Sequence, residues 1–348
     1  MFKIFIILIV SIFLQSCSSL GYYWEKIQGH AEIVNNQVPV QDVIDNPETS
    51  SIVRERLINV QAARDFATKV LQLPDNESYR NYVDIGRENA VWTVVATQPY
   101  SIKPKEWCFF IVGCLSYRGY FSKQKADEFA EELKKQNMDV YVSGTKAYST
   151  LGWFNDPLLS SMLYKSEAYR VGIIFHELAH QKIYVEDDTA SNEAFASTVE
   201  LEGVKTWFNQ AEKKHMYKDY LISRQRDEDF KNLLKQTRRQ LNTLYNNESK
   251  KVDVEKQKVK VFELLQVAYK EFKHRWDNYS GYDKWMSNKL NNAHLALIST
   301  YNDRIPAFQA LFKKANYDYK SFYEKVEQLM SIEKNKRIIE LDNLMRKI

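Results

Sequence analysis

The chain has 348 residues, enough for one large domain or two modest ones, and its 44% hydrophobic and 27% charged side chains exclude wholesale disorder. Forty-nine basic side chains stand against 45 acidic ones, for a net charge of +4, and Lys and Glu are interleaved, so no basic stripe of the kind that binds nucleic acid exists. Ten glycines and seven prolines argue against a turn-rich all-β design and for long helices.

Met1-Phe2-Lys3 is a short basic start, and Ile4 to Leu14 is an apolar run. A bilayer needs about 20 apolar residues, so this run is too short to span one and suits a signal-peptide core. Leu14-Gln15-Ser16-Cys17 resembles a bacterial lipoprotein lipobox, which implies removal of residues 1–16 and a lipid on Cys17. An ordinary cleaved signal, or an anchor helix with an incidental cysteine, is the alternative. The lipobox reading puts the mature protein in the cell envelope, anchored to a membrane and facing the periplasm. Ser18 points towards the outer membrane. Export makes a disulfide the expected state of Cys108 and Cys114, with Gly113 supplying the turn that lets them meet.

After the cysteine, Gly21-Tyr22-Tyr23-Trp24 fits either a membrane interface or packing onto the domain. Residues 39–73 read as a helix, with apolar residues returning at helical spacing until Pro74-Asp75-Asn76 breaks it. Ala90–Val95, Phe109–Val112 and Asp139–Val142 read as strands, and Lys123–Gln136 as a helix with Phe129 and Leu133 on its buried side. This predicts a small sheet stapled by the disulfide and crossed by a helix. Thr145 to Leu151 is a possible edge strand for an extended peptide. Ser166–Val185 is the next predicted helix, with Ile173, Ile174, Leu178 and Ile183 on its core face; Asn192 is then a suitable N-cap for a helix through Phe208. From Lys213 onward nearly everything reads as helical, with breaks at Asn246-Asn247 and at 278–281, and Arg224 to Lys260 is charged enough to be a solvated hairpin.

The chemistry stands in His176-Glu177-Leu178-Ala179-His180. Two histidines four apart share one helical face, so both imidazoles can reach one ion, and the adjacent Glu177 can reach a water on it. A peptidase zinc needs a third protein ligand and an open position. Asp187, Asp188 and Glu193 are the carboxylates that follow. No histidine follows His180 at metzincin spacing. Glu193 is preferred because Asn192-Glu193-Ala194-Phe195-Ala196 begins a helix able to fold back on the first. That segment also resembles the Asn-Glu-Gly-Phe-Ala of aminopeptidase N-type gluzincins, although its spacing from His180 is shorter.

The resemblance extends further. The segment from Trp107-Cys108 through Gly119-Tyr120-Phe121, the run from Ala147 to Pro157, the HELAH helix, NEAFA, Asn291-Asn292-Ala293 and Thr300-Tyr301 together resemble a bacterial family carrying the aminopeptidase label. The expectation is therefore an α+β, mainly α-helical, zincin-like metallopeptidase with a small mixed sheet. Its parts would be a signal peptide (1–16), a lipid-anchored segment (17–38), a catalytic domain (39–210) and a helical C-terminal region packed on it (211–348). The implied activity is zinc-dependent hydrolysis of short peptides from their N-terminus, with Zn2+ on His176, His180 and Glu193 and with Glu177 as general base. Tyr148 or Tyr301 would be the donor to the developing oxyanion. The alternatives are a zinc endopeptidase, or a non-catalytic lipoprotein whose metal-stabilised fold binds peptides or envelope partners.

Overall fold

The computed structural model describes residues 21–109, 113–147, 155–186, 188–210, 213–246, 251–298 and 304–346. Cys17, Tyr148, Asp187 and Tyr301 lie outside them. The described chain is mainly helical, with 65% helix and three small sheets. Helix α1 covers residues 21–35. There follow β1 (Val38–Pro39), α2 (Val40–Asp45), α3 (Ser51–Lys69), β2 (Asn81–Val83), β3 (Val91–Thr97), β4 (Trp107–Phe109), β5 (Gly113–Leu115) and β6 (Arg118–Tyr120). Next come α4 (Lys123–Lys135), β7 (Asp139–Thr145), β8 (Leu158–Leu159), α5 (Ser160–Leu163), α6 (Glu167–Lys182) and α7 (Thr189–Gln210). The C-terminal part is α8 (Lys214–Asn246), α9 (Lys251–Arg275), α10 (Asp283–Met286), α11 (Asn292–Ala296), α12 (Ile305–Lys314), α13 (Tyr319–Ser331) and α14 (Lys334–Met345).

The single helix expected over 39–73 is two helices. Asn46 precedes Pro47, whose ring disfavours a helical conformation there, and Asn46 is extended with ψ 120°. Ser50 restarts the helix by accepting the Val53 N–H at 3.4 Å. Leu57, Val60, Ala63, Phe66 and Ala67 then form a buried stripe at helical spacing.

β3 is the centre of an antiparallel sheet, between β6 and β7. Strand alternation sends Val94 and Ala96 to one face, where they meet Ala126, Ala130 and Leu133 of α4. Val95 points the other way, onto Ala293 and Ala296 of α11. The disulfide does not staple this sheet. Cys108 and Cys114 are bonded and directly opposed in a separate two-stranded hairpin, β4–β5, and Gly113 takes the positive φ (71°) that its turn requires. A third sheet joins β1, β2 and β8, with β2 antiparallel to β1 and parallel to β8.

The largest core packs α3, α6 and α7 against α12, α13 and α14, so helices far apart in sequence share one interior. A second core lies in the α8–α9 hairpin, where Phe230, Leu233, Leu234, Leu241 and Leu244 meet Val254, Phe262, Leu265 and Tyr269. The expected hairpin therefore exists, but it is not merely solvated: its charges occupy the outer faces and an apolar seam runs along the inside.

Candidate metal centre

α6 starts where Ser166 accepts the Tyr169 N–H, with Glu167 in the positive first turn and His180 and Lys182 near the negative end. Its core face is Val171, Ile174, Phe175, Leu178 and Ala179, all fully buried. Ile173, expected on that face, is half-buried. His176 and His180 lie along the margin of the face, turned towards α7.

α7 begins one turn earlier than expected. Asp188, not Asn192, caps it by accepting the Ser191 N–H at 3.2 Å. Asn192 instead ties down the connecting loop. Its side chain accepts the Val185 N–H at 3.0 Å and donates to the Val185 carbonyl at 2.7 Å. These two ties set where the first turn of α7 lies, and Glu193 begins the turn that follows. Asp188 itself turns away from the histidines. It is buried and pairs with Arg337 of α14 at 2.5 Å and with Arg304 at 3.4 Å.

The two helices approach closely because each offers a glycine. A Cβ on Gly172 of α6 would lie 3.2 Å from Glu200 Cγ; one on Gly203 of α7 would lie 2.8 Å from Phe175 and Leu71 side-chain carbons. The closeness brings the predicted ligands together. His176 Nε2 and His180 Nε2 are 3.2 Å apart. The Glu193 carboxylate reaches His176 Nε2 at 3.3 Å and His180 Nε2 at 3.5 Å with its two oxygens. Among the described residues this is the group of His, Cys, Asp and Glu able to hold a metal ion. Glu177, half-buried beside His176, adds negative charge felt by His176 and by Tyr169, two turns back on the same helix.

Behind the ligands stand residues that the sequence reading missed. Glu200, two turns after Glu193 on α7, places Oε2 3.3 Å from His176 Nδ1. Its Oε1 accepts from the Tyr220 hydroxyl at 3.2 Å and lies 3.8 Å from Arg224 of α8. The i, i+7 spacing from Glu193 was the available signal for Glu200; nothing local marks Tyr220 or Arg224. His180 differs from His176, since its Nδ1 is buried with no hydrogen-bond partner among the described residues. The Tyr184 ring, 45% exposed, lies 6.4 Å from the His180 ring.

The electrostatics follow from this crowding. Burial alone would push His176 down, but hydrogen bonds to Glu193 and Glu200 outweigh it and raise its pKa to about 10. Burial alone would raise Glu193, but His176 and His180 hold its carboxyl far below the usual range. Glu200 is likewise lowered against its burial, by His176 and Arg224. Two carboxylates and two imidazoles packed this tightly are a strongly cation-attracting arrangement.

No curated protein and no solved structure matches the chain. A family model described as "Putative aminopeptidase" matches residues 21–341, a span that includes both metal-site helices and the C-terminal helices packed on them, and the chain belongs to that family.

Proposed function

We propose that the chain is a zinc-dependent peptidase, an aminopeptidase acting on short peptides, in which His176, His180 and Glu193 hold the metal and Glu177 is the general base. The observation that carries this is the cluster of donor atoms: the two Nε2 atoms are 3.2 Å apart, and the two Glu193 oxygens lie 3.3 Å from the one and 3.5 Å from the other. Ligands at about 2.0–2.1 Å from a tetrahedral zinc stand about 3.3–3.4 Å from one another, so the residues present fit that ion. Two imidazoles and one carboxylate are also the donor set of catalytic zinc sites that keep a position open. Glu200 supports the same reading: accepting from Nδ1–H would fix the tautomer that leaves Nε2 of His176 to the ion.

When bound, zinc supplies a Lewis acid for the scissile carbonyl and lowers the pKa of a water towards about 7. The protein's own groups move the proton. Glu177 takes it from the attacking water and delivers it to the leaving amine. The lipobox at Cys17 supports the further reading that a lipid tethers the enzyme to the periplasmic side of the envelope, in the outer membrane.

Glu177→Gln tests the mechanism, because the amide keeps the shape but cannot accept the proton. The variant is expected to retain one zinc and to lose turnover by about 10²–10⁴-fold, measured on blocked and unblocked peptides with metal content in parallel. Cleavage that survives in the variant sinks the mechanism. Absence of cleavage of any peptide by the zinc-loaded wild type moves the reading to a peptide-binding lipoprotein.

A further inference from the structure

Helix α1 is turned inside out relative to an ordinary surface helix. Its inward face is half-buried Tyr22 and buried Glu25, Gly29 and Ile33, spaced at three and four residues. Glu25 is only 4% exposed, and the packing explains it: Oε1 accepts the N–H groups of Phe121 and Ser122 at 2.6 and 3.0 Å, at the start of α4. Gly29 lets the helix lie directly on the Phe121 ring. The opposite face is apolar. Trp24 and Ile27 are each 59% exposed, and Val34 continues their line along the helix.

The chain itself says what meets this face. Only four residue steps separate Cys17 from Gly21, and an extended chain covers at most about 3.6 Å per residue, so a lipid-bearing Cys17 holds the first turn of α1 within roughly 14 Å of the bilayer. One headgroup layer is about 5–8 Å deep, so a tether of this reach lets the first turn sit in that layer, where Trp and Tyr rings are favoured, or at most just outside it. Tyr23 and Trp24 stand in that turn. We propose that the Trp24–Ile27–Val34 face of α1 docks on the lipid surface, so that the protein lies against the membrane in one orientation and does not swing freely on its tether. This rests on the lipid tether at Cys17, but not on the peptidase reading.

The test uses the full lipidated protein in vesicles of phosphatidylethanolamine with phosphatidylglycerol. Cys108 and Cys114 are bonded to each other, so Ile27→Cys provides a thiol for a nitroxide label. Ile339→Cys, at an equally exposed apolar position on α14, is the control. Docking predicts that the label at 27 collides several-fold more with oxygen, and less with a water-soluble nickel chelate, than the label at 339. Protein that floats with the vesicles but leaves position 27 as water-accessible as 339 overturns docking and leaves the tether standing. Spin–spin broadening at 27 that persists without lipid shows a second copy on this face and also overturns it. Protein that does not float with the vesicles overturns tether and docking together.

Discussion

His176 lies between two carboxylates, and its two nitrogens have separate tasks: Nε2 faces Glu193 and His180, while Nδ1 faces Glu200. Glu200→Gln keeps the volume but loses the charge that favours Nδ1–H, and it is expected to weaken zinc binding about 10–100-fold, the usual scale for such outer partners. Glu193→Ala should cost more, because it removes a proposed ligand, while Asp188→Asn, which loosens only the anchor of α7, should cost less than either. Competition with a chromophoric chelator reads all three, and an Asp188 variant that loses metal while Glu193→Ala keeps it reverses the assignment. The HELAH pair was legible because i, i+4 spacing alone puts two imidazoles on one face, and Glu193 because a helix able to fold back was expected there, although that helix starts a turn earlier, at Thr189. Glu200 was not singled out among 45 acidic residues. What distinguishes it is the space left by Gly172, which only the packed helices reveal. Tyr148 and Tyr301 lie outside the described residues; Tyr184, Tyr169 and Tyr220 are described near the site.

At the level of elements, the geometry of the proposed metal site is set by how closely α6 and α7 pack. Gly203→Ala inserts a methyl where only 2.8 Å is open, so Phe175 or Leu71 must move, and overpacking of this kind costs about 1–3 kcal/mol. Because Phe175 adjoins His176, the variant should also bind zinc more weakly, as urea denaturation and metal titration would show together. Stability and affinity both unchanged would mean that the two helices are not in register through these glycines. The elements themselves were largely readable. Ser166 and the 3.6-residue apolar period located α6, and the charge pattern located the α8–α9 hairpin. Two features were not readable. Asn192 is a good capping residue by type, yet the loop uses both ends of its amide and leaves the capping to Asp188. The hairpin's apolar seam was diluted by the many charges in its sequence.

At the scale of the molecule, the mainly helical character followed from few glycines and prolines, whereas the division of the strands into three sheets depends on pairings between distant segments. The disulfide closes one small hairpin, so Cys108→Ser with Cys114→Ser should cost only about 2 kcal/mol. Mass mapping of exported protein should find the pair oxidised; two free thiols would overturn that. The larger tie is Asp188 to Arg337, both nearly fully buried. Burial alone would raise the Asp188 carboxyl, but Ser191 and Arg337 hold it below the ordinary range. A lowered pKa contributes stability that is present above the unfolded value of about 3.9 and is lost as pH falls through the folded one. Asp188→Asn should therefore lose about 3–5 kcal/mol at neutral pH and show a flatter loss of stability below about pH 4. Denaturation midpoints measured across that range check both, and parallel acid limbs would refute the assignment.

That same pair fixes an order of events in the life of the chain. The cap at the start of α7, one turn before Glu193, is held by a side chain made about 150 residues later. A chain still emerging from the ribosome carries α6 and its two histidines before it has the arginine that anchors the helix carrying Glu193. On the proposed zinc reading, metal capture would wait until the last described helix has formed. A chain that stops before Arg337 should be made, exported and degraded without ever holding zinc firmly, and pulse-labelled truncations assayed for retained metal would show whether the threshold falls there.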